Sequence, residues 1–345
     1  MKSPWAPSSG SSAPRPSSPS CCGGRALAER GWTSPKARLL LLAAGAALSV
    51  LAFMTVGLKG GLAFALELRA VRLAALVEVA VAVAVSTVVF QTITGNRILT
   101  PSIMGLDALY SLLQALAVFT LGGLGYAMLP ATAKFLGEAG LMALLGTALF
   151  LPLLSRRGDI PTLLLAGVVL GVLFRSLSLM VARLIDPNEF AIVQSARYAD
   201  FNTLDATLLV PCLGLTGLGT LLVWRARHVL DVMALGREAA VGLGVAWRRS
   251  ATALLVLVGA LTAASTALVG PVAFLGLLVV ALAERTVGTV RHGPLLLGAM
   301  LLAVILLVGG QTILAQLLDN VLTLGIVIEF FGGLAFLILI TRRRR

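Results

Sequence analysis

The sequence predicts an all-α polytopic membrane protein of about ten transmembrane helices. Three observations carry this. Hydrophobic residues make up 58% of the 345 residues and charged residues only 12%, half the charge of a soluble domain, which holds about 25%. The mean hydropathy is +0.99. Apolar runs of about 20 residues, the length that crosses a hydrocarbon core, recur along the chain. Lipid offers the backbone no partners, so the spans must be helices that satisfy their own hydrogen bonds. A β-barrel would need period-two alternation, which these runs lack.

Residues 1–37 are rich in Ser, Pro and Gly and carry Lys2, Arg15, Arg25, Arg30 and Lys36. They read as a disordered cytoplasmic tail, and residues 38–345 as one membrane domain. The first apolar run, from Leu39, is too long for the core of a signal peptide and reads as an uncleaved span. The spans fall at 39–58, 72–92, 102–122, 138–155, 160–183, 204–224, 250–269, 272–290, 294–311 and 325–341. Pro101, after Thr100, suits the first turn of the third helix. Gly270-Pro271 marks a helix break or tight external turn. The Gly- and Ala-rich spans allow close helix contact. Interrupted segments in both halves hint at an internal repeat, as in many transporters.

The net charge of +12 reflects arginines between spans rather than a nucleic-acid-binding face. An even number of spans puts both termini on one side. Of the 27 Lys+Arg, twenty fall in segments on that side, six on the other, and Arg175 within a span. The termini are therefore expected to be cytoplasmic. Cys212 lies in an apolar span as a small packing residue. Cys21 and Cys22 have no metal-ligand spacing.

The segment VMALGREAAVGLGV (232–245) has three glycines and suggests a phosphate-cradling loop. A nucleotide site of that kind needs Gly-Lys-Ser/Thr. The only lysines are Lys2, Lys36, Lys59 and Lys134, and none stands in that context, so the reading fails. His228 and His292, each beside an arginine, read as solvated loop histidines, and no HExxH or GxSxG is present. No catalytic residue, metal or cofactor is expected. Glu78, Asp107, Arg175 and Glu329 lie in or near spans, where burying charge is costly. Interhelical pairing or a place beside a water-filled cavity is favoured over a proton relay.

Five segments, in order, resemble the permease subunits of binding-protein-dependent ABC importers for ferric siderophores, haem and cobalamin. They are NRILTPSIMG (96–105), LLLAGVVLGVLF (163–174), ALGREAAVGLGV (234–245), GPVAFLGLLVV (270–280) and GIVIEFFGGLAFLILI (325–340). The first keeps the family's Asn96, Leu99, Pro101 and Gly105. The resemblance covers about residues 39–341 and implies a type II importer fold like that of the cobalamin permease. The family's Pro-His-Ile-Ala-Arg is replaced by Val280, Ala281, Leu282, Ala283 and Glu284, and its Asp-His-Arg element is reduced to Arg291-His292. These departures look closest to the branch serving catecholate-type siderophores such as petrobactin or vibriobactin.

The resemblance implies a mechanism. Two permease chains, identical or paralogous, enclose a pathway. Separate cytoplasmic ATPase subunits drive it, and an extracytoplasmic binding protein delivers the chelate. The coupling loop, at about 225–249, would contact an ATPase through Ala234, Leu235, Gly236, Arg237, Glu238, Leu243 and Gly244. Arg69 and Arg72, before the second helix, would receive acidic groups of the binding protein, with Val71 where the family has Pro. The chain itself would not be an enzyme. Two other classes compete: a proton-driven secondary transporter using Glu78 or Asp107, and a membrane scaffold without transport.

Overall fold

The computed structural model describes residues 34–57, 62–155, 160–186, 201, 206–317 and 323–342. Among these residues all regular structure is helical. The helices are α1 (Pro35–Thr55), α2 (Leu62–Thr94), α3 (Leu106–Met128), α4 (Ala131–Ser155), α5 (Ile160–Leu184) and α6 (Ala206–Arg225). Two short ones follow, α7 (Arg227–Met233) and α8 (Arg237–Gly242). Then come α9 (Trp247–Val269), α10 (Leu275–Val287), α11 (His292–Leu317) and α12 (Leu324–Arg342).

Among the described residues, seven helices are long and apolar enough to cross a membrane: α1, α2, α3, α5, α6, α9 and α11. The expected ten is therefore not confirmed among the described residues. The clearest departure is the predicted span at 272–290. Gly270-Pro271 separates α9 from it, and Gly288, at φ 67, caps its end. What remains is α10, 13 residues long. At 1.5 Å per residue it extends about 20 Å, short of a core about 30 Å thick.

Several boundaries move for local reasons. Helix α1 begins at Pro35, a residue suited to a first helical position, so the end of the predicted tail is helical; residues 1–33 of that predicted tail lie outside the described residues. Helix α2 begins ten residues before its predicted start, because ALELRAVRL is made mostly of good helix formers. Arg69 and Arg72 therefore lie inside α2, not before it. Pro101 does not open α3: residues 101–105 form successive turns, and α3 starts at Leu106. Gly105, at φ 95, separates the two. A Cβ there would lie 2.6 Å from the Gly171 Cα, so the residue serves both the left-handed turn and the approach of α3 to α5.

Helix α2 is the axis of the bundle. It packs against α6, α9, α10 and α11, while α1 packs on α11, α4 on α9 and α3 on α5. The main core includes Leu76, Val79, Val89, Leu261, Leu275, Leu296 and Leu307. A smaller cluster, Leu112, Ala115, Val118, Val181 and Ile185, joins α3 to α5. Lipid removes the hydrophobic drive between helices, so close packing and buried polar bonds hold the bundle. Outward-facing apolar side chains such as Val169 and Val172 of α5 and Leu221 of α6 are exposed, as a lipid-facing or subunit-facing surface requires.

Candidate functional site

The segment between α6 and α9 is built as two short helices joined by a tight turn. At its entry the Arg227 guanidinium lies 4.7 Å over the Trp224 ring, a cation–π contact that steadies the end of α6. Leu230 and Met233 bury one face of α7 in the core. Gly236, at φ 99 and ψ 163, then reverses the chain. No atom lies within 4 Å of a Cβ placed there, so backbone conformation alone requires the glycine.

Helix α8 ends in a Schellman motif. The Val245 N–H donates to Ala240 O and the Gly244 N–H to Val241 O, both at 3.0 Å, with Gly244 at φ 86. This is the arrangement that satisfies the last carbonyls of a helix when glycine follows it. Ala234, Leu235, Gly236, Arg237, Glu238, Leu243 and Gly244 are all exposed. The exposures of Leu235, Val241 and Leu243 are 64%, 55% and 64%. An exposed apolar edge flanked by Arg237 and Glu238, on a segment anchored by Leu230, Met233 and Ala240, is a surface suited to another protein.

Behind this segment is a cavity of about 500 Å³, bounded by Asp231, Leu235, the last turn of α2 and the α10–α11 turn. Arg97 Nη1 donates to Glu284 Oε2 across it at 2.8 Å. The Gln91 amide donates to Arg97 O at 2.8 Å.

His292 departs most from its expected role. It is 4% exposed, not solvated, because it opens α11 underneath α7. Asp231 Oδ1 accepts from both the His292 backbone N–H and Nδ1–H, each at 2.7 Å. On the other side Nε2 lies 2.8 Å from Thr92 Oγ1 of α2. Partial burial pushes the Asp231 carboxyl up, but the His292 bonds, with the nearby His292 and His228 rings, outweigh it and hold the group below its ordinary value. Local spacing gave no signal of this: the partners stand 61 and 200 residues away.

At the far end of α2, Arg69 closes α1. Its Nη1 donates to Phe53 O and Val56 O, both at 2.8 Å, and its Nη2 to Gly57 O at 2.9 Å. Those carbonyls have no partner further along their own helix, so a cation there satisfies them and suits the negative end of the helix dipole. Arg72 lies nearby in α2, and both arginines are half-buried. Within the bundle, Thr216 of α6 donates to Glu78 Oε1 at 2.7 Å, an interhelical pairing. Asp107, Arg175 and Glu329 border one cavity of about 190 Å³ with Ser111 and Ser178.

Comparison with known proteins places the chain. It is 40% identical over 283 residues to the petrobactin import system permease protein YclO of Bacillus subtilis (strain 168), covering 82% of this chain and 90% of that protein. It is 30% identical over 277 residues to the petrobactin import system permease protein FatC of Bacillus anthracis, covering 80% and 78%. A solved structure described as an inward-facing conformation of a metal-chelate type ABC transporter superposes with a TM-score of 0.78. That match has 20% identity and covers 89% of this chain and 99% of that one. At that identity the likeness speaks for the fold. The pattern of one family matches residues 39–342, nearly the whole membrane domain, and with it the proton-driven carrier reading gives way: the chain belongs to the FecCD transport family.

Proposed function

We propose that this chain is the membrane permease of an ABC importer carrying a ferric siderophore, of a catecholate type such as petrobactin, across the bacterial cytoplasmic membrane. The observation that carries the reading is the 40% identity to a petrobactin permease across 90% of that protein's length. Permeases of this family work with ATPase and substrate-binding partners. ATP hydrolysis then resides on separate cytoplasmic subunits, and a second permease chain completes the pathway. The membrane domain spans 38–345, has ten crossings and keeps both termini in the cytoplasm.

In this reading the exposed edge of α7–α8, Ala234 to Glu238 with Leu243 and Gly244, docks an ATPase subunit. Its apolar residues bury against a groove, and Arg237 and Glu238 fix the register. Arg69 and Arg72 mark the extracytoplasmic end, where an acidic surface of the binding protein seats. Arg69 contributes there by ordering the end of α1 as well as by its charge.

Two measurements test the reading. Cells or vesicles holding the complete transporter are expected to take up radio-iron-loaded petrobactin in an ATP-dependent way; uptake of ferric hydroxamates but not of ferric petrobactin would overturn the substrate class. The double variant Leu235→Ala, Arg237→Asp is expected to lose co-purification of the ATPase subunit. Unchanged association would refute the docking surface.

A further inference from the structure

Among the described residues, the two hydrogen bonds that Asp231 accepts from His292 are the side-chain hydrogen bonds that leave α7–α8 for another element. His292 carries the contact onward to Thr92, in the last turn of α2. We infer that Asp231–His292–Thr92 is the connection through which movement of the α7–α8 segment reaches α2, with His292 as a positioning residue. The inference rests on the ATPase-docking reading of that segment.

The chemistry of the three groups favours a stiff link. An ionised carboxylate only accepts, so Nδ1 of His292 carries a proton and donates to Asp231. The backbone N–H of His292 donates to the same oxygen. Asp231 therefore fixes both the ring and the first residue of α11. On the other side, Thr92 Oγ1 lies 2.8 Å from Val88 O as well as from the ring. A hydroxyl has one hydrogen. When Thr92 donates to Val88 O, Nε2 must be the donor to Thr92; when Nε2 is bare, Thr92 turns its hydrogen to the ring and releases Val88 O. The ring keeps a partner on both nitrogens in either arrangement, as a buried imidazole requires.

The surroundings make the link directional. Helix α8 is bounded by Gly236 and Gly244, with open space around both, so it can turn on them. Helix α7 is held by Leu230 and Met233 as well as by Asp231. Helix α2 is 33 residues long and sits at the centre of the bundle. From Thr92 to Arg69 it runs about 35 Å at 1.5 Å per residue. A displacement at Thr92 is therefore felt at the end of the molecule where Arg69 orders α1.

The experiment uses the complete transporter, permease with ATPase and binding protein in proteoliposomes. It reads ATP hydrolysis, radio-iron-loaded petrobactin uptake and ATPase-subunit co-purification. Thr92→Val preserves shape and removes the hydroxyl. It is expected to keep ATPase association and hydrolysis while uptake per ATP falls roughly tenfold, the effect of one orphaned buried nitrogen. Thr92→Ser is expected to restore coupling. The double variant Asp231→Ala, Thr92→Val should be no worse than the poorer single variant, since both break one connection. Wild-type uptake per ATP in Thr92→Val overturns the inference, as does a proportional fall of uptake and hydrolysis, which marks a structural role. Failure of the docking reading shows separately, as retained ATPase association in the Leu235, Arg237 variant.

Discussion

At the residue scale, most hydroxyls in this bundle bond back to a carbonyl of their own helix, and a smaller set of polar groups bridges to a neighbouring helix. Glu78 illustrates the bridging kind: a carboxyl deep among apolar side chains, accepting from Thr216. In an ATP-driven permease that pair serves packing. Glu78→Gln, which can still accept from Thr216, is expected to retain most ATP-dependent uptake, measured as initial rates; abolished uptake would revive a proton-coupled role. Asp231 makes the opposite kind of pair, charged and near the surface. Its folded carboxyl lies below the ordinary value, so its stabilising contribution is present above the ordinary carboxylate range and is lost as pH falls through the depressed value. The melting-temperature gap between wild type and Asp231→Asn should be largest near neutral pH and close in strong acid. A gap that widens on acidification would contradict the assignment.

At the element scale, glycine placement decides where helices begin, end and touch. Gly105 holds a left-handed conformation while its Cα faces Gly171 across the α3–α5 contact. Gly105→Ala combines the left-handed penalty, about 1–2 kcal/mol, with overpacking of about 1–3 kcal/mol. A loss of about 2–5 kcal/mol follows, visible as a lowered melting temperature or poor recovery of folded protein. Residues 96–105 resemble a family signature, yet their role as a turn run, rather than as the opening of α3, depends on that backbone geometry. The same holds for α10. Its apolar sequence matches a full span, but Gly270-Pro271 and Gly288 trim its helix to 13 residues, because hydropathy registers side chains and not where the helical hydrogen bonds stop.

At the scale of the whole molecule, α2 joins the two ends at which partners are proposed to bind. Near one end it meets His292 beneath the α7–α8 segment, and near the other it gathers α1 through Arg69. The charge distribution sets the proposed orientation, with the α7–α8 end and both termini in the cytoplasm. Single cysteines introduced at Arg237 and at Gly57, in a variant lacking the native cysteines, test it. The first should react with a membrane-impermeant reagent only from the cytoplasmic side and the second only from outside. The reverse pattern would invert the topology, and labelling of both from one side would refute the placement of the two ends.

The sequence by itself determined the helical membrane class, the approximate places of most long helices and, through five ordered motifs, the family to which the chain belongs. Hydropathy and helix punctuation are local properties, carried by runs of about 20 residues. It also located the exposed α7–α8 edge, since Gly236 and Gly244 mark turns whatever surrounds them. Only the tertiary structure decided which polar groups meet. Asp231 reaches His292, His292 reaches Thr92, Arg97 reaches Glu284 and Arg69 reaches the end of α1, across separations of 61, 200, 187 and 12 to 16 residues. Such pairings depend on how helices cross, which no local pattern encodes, and for that reason a histidine that looks like a solvated loop residue stands buried between three helices.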